Sequence, residues 1–248
     1  MKLDAEILSN KKWINAAGSA GFAPTTSLIE KFPEMGLFVT NPISYTPRSP
    51  AKERCMLPFN GGFLVHNGFP CPGLRTLLKK YQKIWENADI PICPSLLSDH
   101  PSQIEKIVRI FESIENIVGI ELYLEPSLAF EDVEAMIKAS LGELPIILCI
   151  PYEFVYSDRI DRLASLDIMA ISIQSPRGSI FYNRKMVNGR LYGPAMFPLT
   201  LRAIKQLSVF KLPIIAGLGA LTNQDIENVY EVGAHNFQPH ELIWRDYF

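Results

Sequence analysis

The stretch from Leu191 to Gln238, LYGPAMFPLTLRAIKQLSVFKLPIIAGLGALTNQDIENVYEVGAHNFQ, most constrains what this chain can fold into. Pro198 suits the first turn of a helix, where its missing N–H costs nothing. Leu199, Leu201, Ile204 and Leu207 then recur at roughly helical spacing, with Arg202, Lys205 and Gln206 between them. Lys211–Leu212–Pro213 ends that helix. The apolar run Pro213–Ile214–Ile215–Ala216 reads as a strand buried on both faces. Gly217–Leu218–Gly219 turns the chain, and Thr222 or Asn223 caps a second helix with Asp225 in its first turn. That helix stops near Gly233, and His235–Gln238 reads as another strand. Helix, strand, glycine turn, helix, strand is the repeating unit of a parallel α/β fold.

Eight strand candidates follow from the same reasoning: Trp13–Ala16, Leu37–Thr40, Pro91–Ser95, Gly119–Leu124, Pro145–Ile150, Ile168–Ile173, Pro213–Gly217 and His235–Gln238. Most are short apolar runs. Amphipathic segments separate them, at Leu74–Ala88, Ser102–Ile114, Phe130–Leu141, Asp158–Leu166, Pro198–Phe210 and Asn223–Val232, with a short first helix near Thr26–Phe32. A length of 248 residues suits one (β/α)₈ TIM barrel, typically ~250 residues, so residues 1–248 read as a single barrel domain.

Two excursions exceed ordinary βα loops. Pro42–Pro72 follows strand two, with Asn60–Gly61–Gly62 as a hairpin turn between Cys55–Leu57 and Phe63–Val65. Pro176–Pro194 follows strand six, with a second tight turn expected at Asn188–Gly189. Both leave C-terminal strand ends and would roof the functional face of a barrel. Asn67–Gly68 reads as a further turn. Only ELIWRDYF follows strand eight closely, too short for a full eighth helix, so a homo-oligomer contact or a partner subunit is expected to cover the barrel there.

The pattern GPAxxPLTLR…LPIIAGLGALTNQDIENVYEVGAHNFQ resembles the C-terminal half of the dihydroorotate dehydrogenase family. Asn15–Ala16–Ala17–Gly18 resembles its first strand, and Val39–Thr40–Asn41 its second, followed by the Pro47–Arg48 loop. Asn67–Gly68–Phe69–Pro70–Cys71–Pro72–Gly73 resembles its GLPNxG segment. The resemblance spans nearly the whole chain. It implies a barrel fold and an FMN site at the mouth. Its residues would be Ala17 and Gly18 under the flavin ring, then Asn41, Cys149, Gln174, Ser175 and Gly193, with Gly217 and Gly219 beside the phosphate.

Several positions depart from the family pattern. Asn41 and Cys149 stand where lysines approach the flavin. Gln174–Ser175 stands for an Asn-Thr or Asn-Ser pair, and Leu218–Gly219 for a Gly-Gly turn. Pro239–His240 replaces a Gly-Thr pair that offers backbone N–H groups to the phosphate, and proline has none to offer. The substrate asparagines appear as Val65 and Cys71. Lysines beside a flavin stabilise its anionic reduced ring, and that contribution is missing here. His240 could supply charge to a phosphate if protonated. At the tip of strand four, Tyr123–Leu124–Glu125–Pro126–Ser127 replaces the run that carries a Cys or Ser base. Anchoring on Pro126 puts Glu125 at or beside that base. Alternation along Glu121, Tyr123 and Glu125 points all three the same way, with inward as the expected side, so Glu125 is the candidate general base.

Composition bounds the remaining readings. A formal charge of −2 gives no basic field for nucleic acid. No apolar run reaches ~18 residues, so no membrane span is expected. The opening MKLDAEILSNKKW lacks an apolar signal core, which makes a cytoplasmic protein the expectation. Cys55, Cys71, Cys93 and Cys149 show no CxxC spacing and read as reduced, unpaired thiols. His235 and His240 are spaced too irregularly for a metal pair, and a structural or phosphate-contacting role fits them better. Arg177, Arg184, Lys185 and Arg190 form either a solvated loop or an anion-gripping lid. The resulting expectation is a dihydroorotate-dehydrogenase-like, FMN-dependent oxidoreductase acting on a small molecule related to or other than dihydroorotate. A flavin-free barrel with a binding or subunit role, or a cofactor-independent lyase or isomerase, is the alternative.

Overall fold

The structure is a computed structural model that describes residues 12–52, 55–97 and 100–244. The reading of the N-terminus for a signal core lies outside them, as do the last four residues of ELIWRDYF.

The barrel is built from β1 (Trp13–Ile14), β2 (Met35–Val39), β5 (Ile92–Cys93), β6 (Ser95–Leu96), β7 (Ile120–Tyr123), β8 (Ile146–Ile150), β9 (Ala170–Ile173), β12 (Ile214–Ala216) and β13 (Asn236–Phe237). Its hydrogen-bonded order is β5-β2-β1-β13-β12-β9-β8-β7-β6. Every pairing within it is parallel. β5 and β6 are two halves of one strand interrupted at Pro94, which has no N–H for a ladder. The nine segments are therefore eight strand positions, and the ring closes through the third. β7, β8 and β9 are buried at every residue, as strands covered on both faces must be. All eight expected strands form; most are shorter than expected, while the second starts two residues earlier, at Met35.

Seven helices among the described residues follow the expected segments closely: α1 (Thr26–Lys31), α2 (Leu74–Glu86), α3 (Pro101–Phe111), α4 (Phe130–Ser140), α5 (Arg159–Ala164), α6 (Phe197–Leu207) and α7 (Asn223–Val232). Thr222 is the cap of α7: its hydroxyl accepts the Asp225 N–H at 3.1 Å, and the Asp225 carboxylate accepts the Leu221 and Thr222 N–H groups in return. Those donors hold the Asp225 carboxyl below its usual range. After β13 comes one turn, α8 (Glu241–Trp244), whose Leu242 and Ile243 are buried. Among the described residues no helix is long and apolar enough to cross a membrane.

The two excursions pair with each other. β3 (Cys55–Phe59) and β4 (Gly62–His66) form the expected hairpin, and β10 (Arg177–Tyr182) and β11 (Lys185–Tyr192) form a second. β11 then pairs antiparallel with β4, matching Arg190 with Val65 and Tyr192 with Phe63. The result is a four-stranded lid, β10-β11-β4-β3, over the C-terminal rim. The turn expected at Asn188–Gly189 lies elsewhere: Asn183 and Arg184, with φ of 48° and 63°, make it, while Gly189 pairs with Gly178 inside the ladder. Gly189 is small because a Cβ there would lie 2.5 Å from Leu64 Cδ2 and from the Val65 carbonyl oxygen. It marks close strand packing rather than a reversal.

β1 is short, and Asn15 extends its bond to β2. The buried Asn15 amide donates to the Val39 carbonyl at 2.7 Å and its oxygen accepts the Val39 N–H at 2.7 Å. Asn15→Ala leaves both Val39 groups buried and unpaired. Denaturant unfolding should show a loss of roughly 2–6 kcal/mol with an unchanged slope, because each of the two orphaned groups costs about 1–3 kcal/mol.

Candidate functional site

The barrel interior is stacked in layers. The lower layer is apolar and includes Ile14, Leu37, Val39, Cys93, Ile147 and Ile215. Above it sits Glu121, only 1% exposed. Ser95 Oγ donates to one carboxylate oxygen at 2.8 Å and Ser172 Oγ to the other at 2.9 Å. Burial outweighs these donors and raises the Glu121 carboxyl to about 7. One alternation further along β7 is Tyr123, in a cluster with Cys149, Leu97, Ala17 and Phe69. Burial, and then the nearby Glu121, push the Cys149 thiol well up, so it is an inert thiol.

The lid closes over this column. Arg190 of β11 is 9% exposed; its Nε donates to the Tyr123 phenol at 2.9 Å and its guanidinium lies 3.9 Å from the Phe69 ring centroid. Phe69 reaches this place because Gly68 and Phe69 have φ of 71° and 50°, and the Asn67 side chain accepts the Phe69 N–H at 3.2 Å. This confirms the turn expected at Asn67–Gly68. Outside the Phe69–Arg190 stack, a crevice of about 250 Å³ opens between lid and rim. Arg48, Arg177, Arg190, Glu125, Asn67 and Asn188 line it. Glu125 Oε2 lies 3.6 Å from Arg177, with the two side chains 24% and 51% exposed. Arg184 and Lys185 are exposed at the tip of the β10–β11 hairpin, away from this lining.

The residues expected at the flavin are partly brought together. Ala17, Cys149, Gln174 and Ser175 surround one cavity with Phe69, Tyr192 and His240, but its volume is about 20 Å³, room for about a single water. The Gln174 amide is committed to the Leu124 and Cys149 carbonyls, at 2.7 and 2.8 Å. The Asn41 side chain accepts the Gly21 N–H at 3.1 Å and ties two rim loops together. Gly18, at φ 86°, sits under Phe69. A Cβ on Gly217 would meet the Phe237 ring at 2.5 Å, so its smallness serves strand packing. Gly193 and Gly219 do converge, on a carboxylate of the chain itself. Gly193 N–H donates to Glu241 Oε1 at 2.7 Å and Gly219 N–H to Oε2 at 3.2 Å. A flavin ring needs a pocket on the scale of ~300 Å³ or more, and the resemblance would put its phosphate beside Gly217 and Gly219, where Glu241 already takes the Gly219 amide. The side chains as arranged do not fit FMN.

The charge expected on His240 and the inward direction expected of Glu125 are revised, while the structural role expected of His235 holds. His240 does not carry charge: burial alone pushes its imidazole down to about 3. His235 accepts the Ile214 N–H with Nδ1 at 3.2 Å, a structural role. Glu121 and Tyr123 do point inward, while Glu125, past the end of β7, turns to the crevice. Glu121 and Glu241 were not singled out. A carboxylate two residues after Pro239 was the available signal for Glu241; the alternation that turned Glu121 inward was the signal for Glu121, but it gave no reason to prefer it over Glu125.

No family model matches the chain. It is similar to the catalytic subunit of dihydroorotate dehydrogenase B (NAD(+)) from Caldicellulosiruptor saccharolyticus, 22% identical over 264 residues, covering 96% of this chain and 87% of that protein. It is also similar to the subunit of the same name from Geobacter metallireducens, 21% identical, covering 89% and 79%. Among solved structures it resembles DHODH from Eimeria tenella in complex with ferulenol, with a TM-score of 0.74 and 12% identity, covering 98% of this chain and 81% of that one.

The Glu121 carboxyl has a testable consequence for stability. Its folded value is about 7 against an ordinary 4.5, so the unfolded chain releases this proton first as pH rises. Its contribution is full below about 4.5 and lost as pH rises through about 7. Glu121→Gln should gain on wild type between pH 5 and 8, by roughly 3 kcal/mol at 1.36 kcal/mol per unit. The difference between the two denaturation curves isolates Glu121, because His240 acts with opposite sign in the same range. Parallel curves would show that Glu121 is not ionised on unfolding differently from folding.

Proposed function

We propose that this chain, a divergent member of the dihydroorotate dehydrogenase family, is an oxidoreductase-family barrel that takes a small carboxylate-bearing molecule in the crevice under its lid. The observation that carries this reading is the crevice lining: three arginines, Arg48, Arg177 and Arg190, and one carboxylate, Glu125, which lies 3.6 Å from Arg177. The crevice lies at the C-terminal rim, where barrels of this class place their chemistry. Its volume of about 250 Å³ suits a small ligand. The relatives are named for dihydroorotate, itself a carboxylate with ring amides, and for its dehydrogenation. That supports both the substrate class and the oxidoreductase class.

The chain's own residues have assignable parts. Arg177 pairs with Glu125 at 3.6 Å. A ligand carboxylate would compete for that guanidinium, which can grip it through two parallel hydrogen bonds. Releasing Glu125 beside the bound molecule leaves it as the acid–base group. Arg190, committed to Tyr123 and Phe69, holds the floor of the crevice. The small axial cavity is filled in by the side chains around it. That filling favours a second reading, proton transfer without a cofactor, as in a lyase or isomerase.

Calorimetric titration with dihydroorotate and with orotate tests the substrate class, using succinate as a plain carboxylate control. Wild type should bind one of the ring acids at one per chain. Arg177→Ala should bind it at least tenfold more weakly, about 1.4 kcal/mol. Glu125→Gln should retain binding and flatten the pH dependence of any turnover. Failure of wild type to bind either acid, or equal binding by Arg177→Ala, would remove the crevice as the ligand site.

A further inference from the structure

We propose that Glu241 is a built-in substitute for a cofactor phosphate, and that this barrel folds and binds its ligand without FMN. The proposal concerns a different place from the crevice, so the two stand or fall separately.

The seat around Glu241 is made for an oxyanion. Gly193 and Gly219 have φ of 115° and 79°, conformations that favour glycine. A Cβ on Gly193 would lie 2.5 Å from Gly62 Cα, and one on Gly219 would lie 2.6 Å from the Phe197 nitrogen. Backbone therefore crowds in from both sides and aims two N–H groups at one point. Gly193 leads into the turn Pro194–Met196 and then α6, an eleven-residue helix whose positive end adds to the pull on an anion. Such a nest usually awaits a phosphate. Here each of its two N–H groups meets a different oxygen of the same carboxylate, at 2.7 and 3.2 Å.

Glu241 is 7% exposed. Burial raises its carboxyl, and the Gly193 and Gly219 donors act in the opposite direction. An incoming phosphate would have to displace a buried acid from the same two donors, and an ionised one would repel it. The sequence shows how the exchange is built: Pro239 removes an N–H from the turn after β13, and α8 begins two residues later with the carboxylate.

The ring side of the seat is closed by independent contacts. Tyr192 packs edge-on against Trp244, with ring centroids 4.8 Å apart, and lies 5.9 Å from the buried His240 ring. The Trp244 indole donates to the Ser19 carbonyl at 2.9 Å, which fixes α8 and hence Glu241 to the first βα loop. The remaining cavity, about 20 Å³, cannot hold a flavin ring. The phosphate donors are thus held by the C-terminal turn, and the ring space is filled by Phe69, Tyr192, His240 and the strand-end side chains around them.

The test uses the full chain. Purified wild type should show no visible flavin absorption, and titration with FMN and with inorganic phosphate should show no binding by calorimetry or phosphorus NMR. Glu241→Ala frees both amides and should bind inorganic phosphate at least tenfold more tightly than wild type, with a matching upward thermal shift. Refolding from denaturant supplies a readout that needs no variant: recovery should be equal with and without FMN. Wild type that carries or binds FMN at one per chain overturns the proposal. So does FMN-dependent refolding, or a folded Glu241→Ala that binds phosphate no better than wild type.

Discussion

All strands of a closed parallel barrel end at one rim, and every backbone N–H and C=O stranded there must find a partner. In this protein the rim supplies its own. Asn15 pairs both backbone groups of Val39, Asn41 accepts from Gly21, Gln174 donates to Leu124 and Cys149, and Glu241 accepts from Gly193 and Gly219. Gln174 lines the small axial cavity, and Glu241 holds two glycine amides at the same rim. A side chain that satisfies a rim amide permanently removes that amide from the ligand's reach, and an unpaired amide here would cost about 1–3 kcal/mol. The stability of the rim and the loss of the axial pocket are one fact seen from two sides.

The lid follows from that closure. With the axis filled, the two long excursions have nothing large to wrap, and they pair with each other through β11 and β4. Pairing brings Arg190 inward, where it stacks on Phe69 and holds the Tyr123 phenol. It also leaves Arg177 on the outer side, against Glu125. One hairpin thus provides both a plug for the barrel axis and a wall for the crevice beside it. The open volume shifts from the axis, about 20 Å³, to the crevice, about 250 Å³.

The fold was legible because buried parallel strands and amphipathic helices write short, periodic patterns, and the Pro213–Gly219 stretch alone states the repeat. The turn of the second hairpin was not. Asn188–Gly189 has turn composition, yet glycine there answers close approach of Leu64 and Val65, a contact between segments over a hundred residues apart in the chain. The site was half legible for the same reason. Alternation correctly sent Glu121 and Tyr123 inward, but β7 ends at Tyr123, so Glu125 follows the loop instead of the pleat. Pro239 correctly signalled the loss of a donor. That the next carboxylate takes over the remaining donors depends on where α8 lands, which Trp244 decides by packing edge-on against Tyr192 and donating to the Ser19 carbonyl.

Charge completes the separation of axis from crevice. Along the axis, Cys149 and Tyr123 are held as thiol and phenol, His240 as neutral imidazole, and Glu121 is close to half-protonated near pH 7. Low dielectric drives each of these toward its uncharged form. An axis of that kind offers little to a charged ligand or to a ring that must become anionic, which is the task that lysines at the positions of Asn41 and Cys149 would serve. The fixed charges lie outside the plug, in Arg177, Arg48 and Glu125, where partial exposure leaves them able to exchange partners. Recognition of an anion and movement of a proton both require such groups, and in this barrel only the crevice rim, among the described residues, brings them together with open space.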